Sequence, residues 1–178
     1  MNSGPTLTDH CIHVMSSGHC LYSTNGQHVY VHTVDEDAVI PGVDLRTFAV
    51  LEDDYYVTDA RHVFYLHEML PGADPSTFSP IPGGSYGKDA SHVYWRWRLV
   101  SNADPKTFQS LQPDYAKDRS RVYNAQNIVA GADSQSFVVD GQSTFCDTPG
   151  SEPGTTALEC YYDAHDRNHK YLGGTVVD

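Results

Sequence analysis

Short apolar couplets, rather than long amphipathic stretches, carry the hydrophobic pattern of this chain. Val29-Tyr30, Val63-Phe64, Val93-Tyr94 and Val122-Tyr123 each begin seven residues after a tyrosine: Tyr22, Tyr56, Tyr86 and Tyr115. Three residues after each tyrosine stands a short polar side chain, Asn25, Asp59, Asp89 or Asp118. Asn and Asp in that position bond backbone amides two residues on and reverse the chain. The pattern therefore predicts a hairpin, entered at Tyr and left at the Val-aromatic couplet.

A second anchor follows each hairpin. Asp44, Asp74, Asp104 and Asp133 each precede a Phe by four residues, at Phe48, Phe78, Phe108 and Phe137, and recur at intervals of 30, 30 and 29 residues. A fixed period of this size marks a repeat architecture in which one unit cannot bury its own apolar face. Two residues before each Asp stand Gly42, Gly72, Asn102 and Gly131. Gly and Asn enter the left-handed region at least cost, so the position predicts a positive φ. Asp74-Pro75-Ser76-Thr77-Phe78 and Asp104-Pro105-Lys106-Thr107-Phe108 read as a capped helical turn, with Pro at its first position, that delivers Phe into the core.

The predicted fold is all-β: tandem β-hairpin repeats of about 30 residues, four full units and a partial fifth, arranged as a stacked meander or a closed propeller-like ring. The organisation is one structural domain: an N-terminal cap hairpin at 1–21, four repeats at 22–140, an insertion at 141–160 and a partial fifth repeat at 161–178. The fifth repeat is marked by Asp166-Arg167-Asn168-His169-Lys170-Tyr171, which copies Asp118-Arg119-Ser120-Arg121-Val122-Tyr123 with Lys170 in place of Val. The first unit carries an acidic bulge around Thr33-Val34-Asp35-Glu36-Asp37. It lacks the regular oxygen spacing and Gly of a calcium loop, so a solvated loop is the simpler reading.

Charge and cysteine narrow the function. Lys plus Arg number 11 against 23 Asp plus Glu, a net charge of −12, which repels phosphate backbones and anionic lipid and suits a basic protein partner. No stretch approaches the roughly 20 apolar residues of a membrane-spanning helix, and neither nucleic-acid binding nor membrane insertion is expected. Cys11 with Cys20, and Cys146 with Cys160, form two local pairs that suggest disulfides and an oxidising compartment. A native precursor with a leader is expected accordingly. His10, Cys11, His13, His19 and Cys20 are also zinc-ligand types, but their spacing is not that of a finger.

The motif Tyr115-Ala116-Lys117-Asp118-Arg119-Ser120-Arg121-Val122-Tyr123, followed by Gly131-Ala132-Asp133, resembles the units of the bacterial DKNYY repeat family over most of Tyr22 to Phe137 and part of the tail. The resemblance implies an exported or lipid-anchored bacterial protein of the periplasm or cell envelope. Some members sit beside secreted toxins as immunity proteins. It carries over no catalytic residues.

Outside the repeat rhythm there is no nucleophile elbow, phosphate-binding glycine loop or Cys-x-x-Cys pair. His28, His62, His92 and His169 share one repeat position with Arg121, which indicates a turn role. His165 and His169 have helical metal-pair spacing, yet the register puts a turn between them. No catalytic residue, metal or cofactor is expected. Trp95-Arg96-Trp97-Arg98 does break the rhythm. On a strand it places both indoles on one face and both guanidinia on the other, and Trp and Arg are enriched in binding hot spots. Trp95, Arg96, Trp97 and Arg98, with Asp35, Glu36 and Asp37, are the expected partner-binding residues. The leading expectation is an extracytoplasmic, non-enzymatic immunity protein that neutralises a basic secreted toxin. The alternatives are an envelope repeat protein binding glycan or another envelope component, and a hydrolase built on loops.

Overall fold

The computed structural model describes residues 10–83, 85–111, 114–140 and 163–177. Within them the chain forms five separate four-stranded antiparallel meanders. The first sheet holds β1 (His10–Val14), β2 (Cys20–Thr24), β3 (Val29–His32) and β4 (Asp37–Val39). The second holds β5 (Ala49–Val50), β6 (Tyr56–Thr58), β7 (Val63–Tyr65) and β8 (Glu68–Met69). The third comprises β9 (Ser79–Pro80), β10 (Tyr86–Lys88), β11 (Val93–Trp95) and β12 (Arg98–Leu99). The fourth comprises β13 (Gln109–Ser110), β14 (Tyr115–Lys117), β15 (Val122–Asn124) and β16 (Asn127–Ile128). The fifth comprises β17 (Val138–Val139), β18 (Ala164–His165), β19 (Lys170–Leu172) and β20 (Thr175–Val176).

Register explains why the Val-aromatic couplets are buried at both residues. In the second sheet Tyr56 pairs with Tyr65, Val57 with Phe64 and Thr58 with Val63, and the third and fourth sheets repeat this pairing. Successive strand residues point to opposite faces. Tyr56 and Val63 face forward and pack with Leu70, Phe78 and Tyr94 of the next interface. Val57 and Phe64 face back into the cluster of Tyr22, Val29, Val31 and Ile40. The same exchange joins the third sheet to the fourth and the fourth to the fifth. Each core thus lies between neighbouring sheets, and among the described residues no cluster joins the fifth sheet to the first, so the units form an open stack rather than a ring.

The predicted left-handed positions are observed: Gly42, Gly72, Asn102 and Gly131 have φ of 75°, 74°, 61° and 80°. The segment after them differs from the expected helical turn. Thr47, Thr77, Thr107 and Ser136 each donate N–H to the carbonyl three residues back, at 3.1–3.2 Å, and there the turn stops, because Phe enters the core and the next outer strand begins directly after it. Phe78 packs 5.0 Å from Tyr56 and 6.2 Å from Tyr94, and Phe108 lies 5.2 Å from Tyr86 and 5.5 Å from Tyr123. Each linker Phe therefore fills the gap between two sheets.

The N-terminal hairpin is continuous with the first repeat, since β1 and β2 belong to one sheet with β3 and β4. The partial fifth repeat has no Asp-Phe linker after it but still forms four strands, because β17 precedes the insertion. Cys11 and Cys20 are disulfide-bonded, with Cα atoms 5.9 Å apart, so their sulfurs are unavailable as zinc ligands. Cys146, Cys160 and the rest of the insertion lie outside the described residues.

Candidate functional site

The meander gives the stack two dissimilar edges. At one, the turns between the two inner strands meet the linkers from the preceding sheet, and here the repeat is nearly invariant. The Asp59 carboxylate accepts N–H bonds from Arg61 and His62 through Oδ1, both at 2.7 Å, and from Asp44 of the preceding linker through Oδ2 at 2.9 Å. Asp89, Asp118 and Asp166 do the same, taking the N–H of Asp74, Asp104 and Asp133 at 3.0, 3.0 and 2.7 Å. Burial alone pushes these carboxyls up, and the amide donors more than reverse it, so all four lie below the ordinary range, Asp166 at about 2. His62 and His92 sit 3.3 and 3.5 Å from their own unit's Asp, in the turn role their repeat position indicated. This edge is scaffold.

The other edge carries what varies. Each unit contributes a tip between its last two strands: the Thr33–Glu36 loop, Leu66-His67, Arg96-Trp97, Ala125-Gln126 and Gly173-Gly174. Trp95-Arg96-Trp97-Arg98 is accordingly a hairpin turn and not a continuous strand. Trp95 pairs with Arg98 across it, and Arg96 sits at φ 55°. The indoles therefore do not share one strand face. Trp95 turns toward the fourth sheet, its Nε1 donating to Asp114 at 3.4 Å, while Trp97 turns back toward Tyr65 of the second sheet at 6.2 Å. The guanidinia stack on the indoles, Arg96 over Trp95 at 4.5 Å and Arg98 over Trp97 at 5.1 Å. Tyr55 stacks on Tyr65 from the other side at 6.2 Å, so Tyr55, Tyr65, Trp97 and Arg98 make one aromatic ridge.

The acidic loop reaches the same edge. Glu36 lies 3.5 Å from His67 Nε2, at the tip adjoining the ridge. Asp35 is exposed and Val34 beside it is 100% exposed. Asp37 is engaged inward: His32 Nδ1 bonds its Oδ1 at 2.7 Å, and His32 Nε2 bonds Ser23 Oγ at 2.7 Å. Reasoning from sequence missed this Ser23–His32–Asp37 relay. Its only signal is Ser23 standing where other units have Val57, Gly87, Ala116 and Ala164. The order of groups is that of a nucleophile, base and acid, but Ser23 is only 4% exposed, so the hydroxyl is enclosed. The relay ties β2, β3 and β4 together on the face of the first sheet that looks away from the second.

A cleft of about 500 Å³ opens between the second and third tips, lined by Asp53, Tyr55, Tyr65, Leu66, Ser85, Arg96 and Trp97. Burial pushes the Asp53 carboxyl up, against N–H donors that include Tyr56. Arg96 Nε is sealed from solvent and makes no hydrogen bond.

An open stack of near-identical meanders, with an invariant scaffold edge and a variable display edge, defines an all-β tandem-repeat protein. The chain belongs to the DKNYY family, whose model matches residues 8–98 and again 86–178. No curated protein and no solved structure matches it.

Proposed function

We propose that this is a non-enzymatic binding module whose tip edge engages a protein, most concretely an immunity protein that occludes a basic, secreted bacterial toxin outside the cytoplasm. The observation that carries this reading is the convergence of the acidic loop and the aromatic-arginine ridge on one rigid edge, bridged by His67 between Glu36 and the second tip. Trp, Tyr and Arg dominate the energetics of protein interfaces. A net charge of −12 steers a basic surface toward the edge and speeds encounter. The Cys11–Cys20 disulfide supports an oxidising compartment.

Affinity capture from the producing strain and its competitors, with co-expression protection assays, tests the proposal. A basic toxin is expected on the column, and protection is expected to fail in Trp97→Ala while surviving in Ser23→Ala. For Asp35→Lys the expected defect is slower association that is less sensitive to salt. Recovery of no toxin together with no protection sinks the reading.

A further inference from the structure

The cleft between the second and third tips has a composition that charge-driven docking of a basic protein does not use. Asp53, Tyr55 and Tyr65 form one wall and Ser85, Arg96 and Trp97 the other. Its volume, about 500 Å³, falls within the ~300–1,000 Å³ of small-molecule sites. The aromatic floor is built from three rings, with Tyr65 centred 6.2 Å from both Tyr55 and Trp97. Two polar side chains flank it. Arg96 lines the cleft; its Nε is sealed by protein without an acceptor, which leaves the terminal N–H groups of the guanidinium as the donors a ligand oxygen can meet. The Asp53 carboxylate, half-buried, takes backbone N–H bonds such as that of Tyr56 at 3.0 Å and retains acceptor capacity for a further donor.

These demands select a ligand by exclusion. A purely apolar guest covers both polar side chains without bonding either. A cation meets Arg96, with Arg98 stacked beside it on Trp97. An anion meets Asp53 and a protein of net charge −12. A hydroxylated ring donates to Asp53, accepts from Arg96 and lays its C–H face on the aromatic floor. We propose that this cleft binds a neutral saccharide of one or two pyranose rings. The residues that build it occupy the variable tip positions. In the fourth unit Asp114, Asn124, Ala125 and Gln126 stand where the second has Tyr55, Tyr65, Leu66 and His67, so the site belongs to this one pair of units.

Both tryptophans of the chain, Trp95 and Trp97, lie at this edge, so intrinsic fluorescence reads the cleft directly. The full chain, and a Trp95→Phe variant that isolates Trp97, are titrated with glucose, maltose, cellobiose, N-acetylglucosamine and chitobiose. A saturable change with at least one of them is expected, together with chemical-shift changes confined to the second and third tips. Tyr65→Ala and Arg96→Lys are each expected to weaken binding about tenfold or more, with circular dichroism reporting that the fold is kept. Trp97→Ala, followed by chemical shifts, is a second aromatic test at a turn position. No saturable response to any of the five sugars overturns the proposal, as does binding that survives Tyr65→Ala and Arg96→Lys in folded protein. A lysine-rich peptide that saturates the same shifts while the sugars do not overturns it in favour of protein docking. The outcome is independent of toxin capture, which reads the wider edge.

Discussion

At the scale of single residues, one chemical device recurs: a buried tyrosine whose hydroxyl bonds the next unit. The Tyr56 hydroxyl donates to the carbonyls of both Ser85 and Arg96 at 3.0 Å, and Tyr86 does the same to Asp114 at 2.6 Å and Ala125 at 3.0 Å. Tyr22 reaches Tyr55, and Tyr115 reaches Asp163. Burial pushes these phenols up, so they serve as neutral donors at any ordinary pH. Tyr86→Phe keeps the ring and takes the donor from the Ala125 carbonyl, while the Asp114 carbonyl still accepts the Ala125 N–H, and an expected loss of about 1–2 kcal/mol is measurable by urea denaturation. The buried aspartates give the stack its acid sensitivity. Their folded pKa values lie below the unfolded carboxylate value, so their stabilisation is complete above about pH 4 and is lost as pH falls through the folded values, for Asp166 at about 2. Asp166→Asn places an amide where the Asp133 N–H needs an acceptor. It is expected to cost about 2 kcal/mol at pH 7, with the gap to wild type closing toward pH 2 in a series of denaturant titrations. Asn25 fits the first unit because, among the described residues, its Oδ1 serves the N–H groups of Gln27 and His28 alone, and its Nδ2 donates to Tyr30.

At the scale of the element, the meander was legible where a residue's own geometry dictated it and illegible where a neighbouring unit did. The turn carboxylates, the linker phenylalanines and the positive φ at Gly42, Gly72, Asn102 and Gly131 all follow from residue type at a fixed spacing. The tips do not. Leu66, Arg96 and Ala125 occupy φ of 54°, 55° and 53° with no Gly or Asn to announce a turn, and only Gly173-Gly174 spells it out. What holds them is an N–H bond from each tip back to the residue before the inner strand: Leu66 to Tyr55, Arg96 to Ser85 and Ala125 to Asp114, at 2.7–2.9 Å. For that reason the Trp-Arg run reads as a strand in sequence and folds as a turn. Ala125→Gly removes the Cβ penalty at one tip and is expected to raise stability by about 0.5–1 kcal/mol, seen as a higher melting temperature. Packing makes the opposite demand at Gly87. A Cβ there would lie 2.3 Å from Phe78 Cζ, and that ring is wedged between Tyr56 and Tyr94. Gly87→Val is expected to cost about 1–3 kcal/mol by overpacking. Phe78→Leu in the same chain is expected to recover part of it, giving a favourable coupling energy in a double-mutant cycle.

At the scale of the whole molecule, the ends of the stack are polar rewritings of its interior. The fifth sheet carries Lys170 where inner sheets place a forward-facing Val, while Asp163, in the place of their Tyr, accepts from Tyr115 of the sheet before it, and the first sheet carries the Ser23–His32–Asp37 relay on its backward face. A polar outer face suits a sheet that meets water more than one that packs on another sheet. Between those ends every sheet packs only on its neighbours, so stability is a sum over interfaces and not a property of one shared core. The same substitution must then act differently by position. Phe108 fills the interface between the third and fourth sheets, and Phe137 fills the last one, 5.3 Å from Tyr115 and 5.4 Å from Tyr171. Each is nearly fully buried, and truncation to Ala carries a cost of about 3–5 kcal/mol. Phe108→Ala weakens the joint between two substantial halves, so its urea transition is expected to broaden or split, with a lower apparent m-value. Phe137→Ala detaches only the fifth sheet. There the main transition is expected to stay sharp, while amide exchange accelerates across β17 to β20 alone. Identical behaviour of the two variants would mean that the sheets unfold as one cooperative block and that the nearest-neighbour account of this stack is wrong.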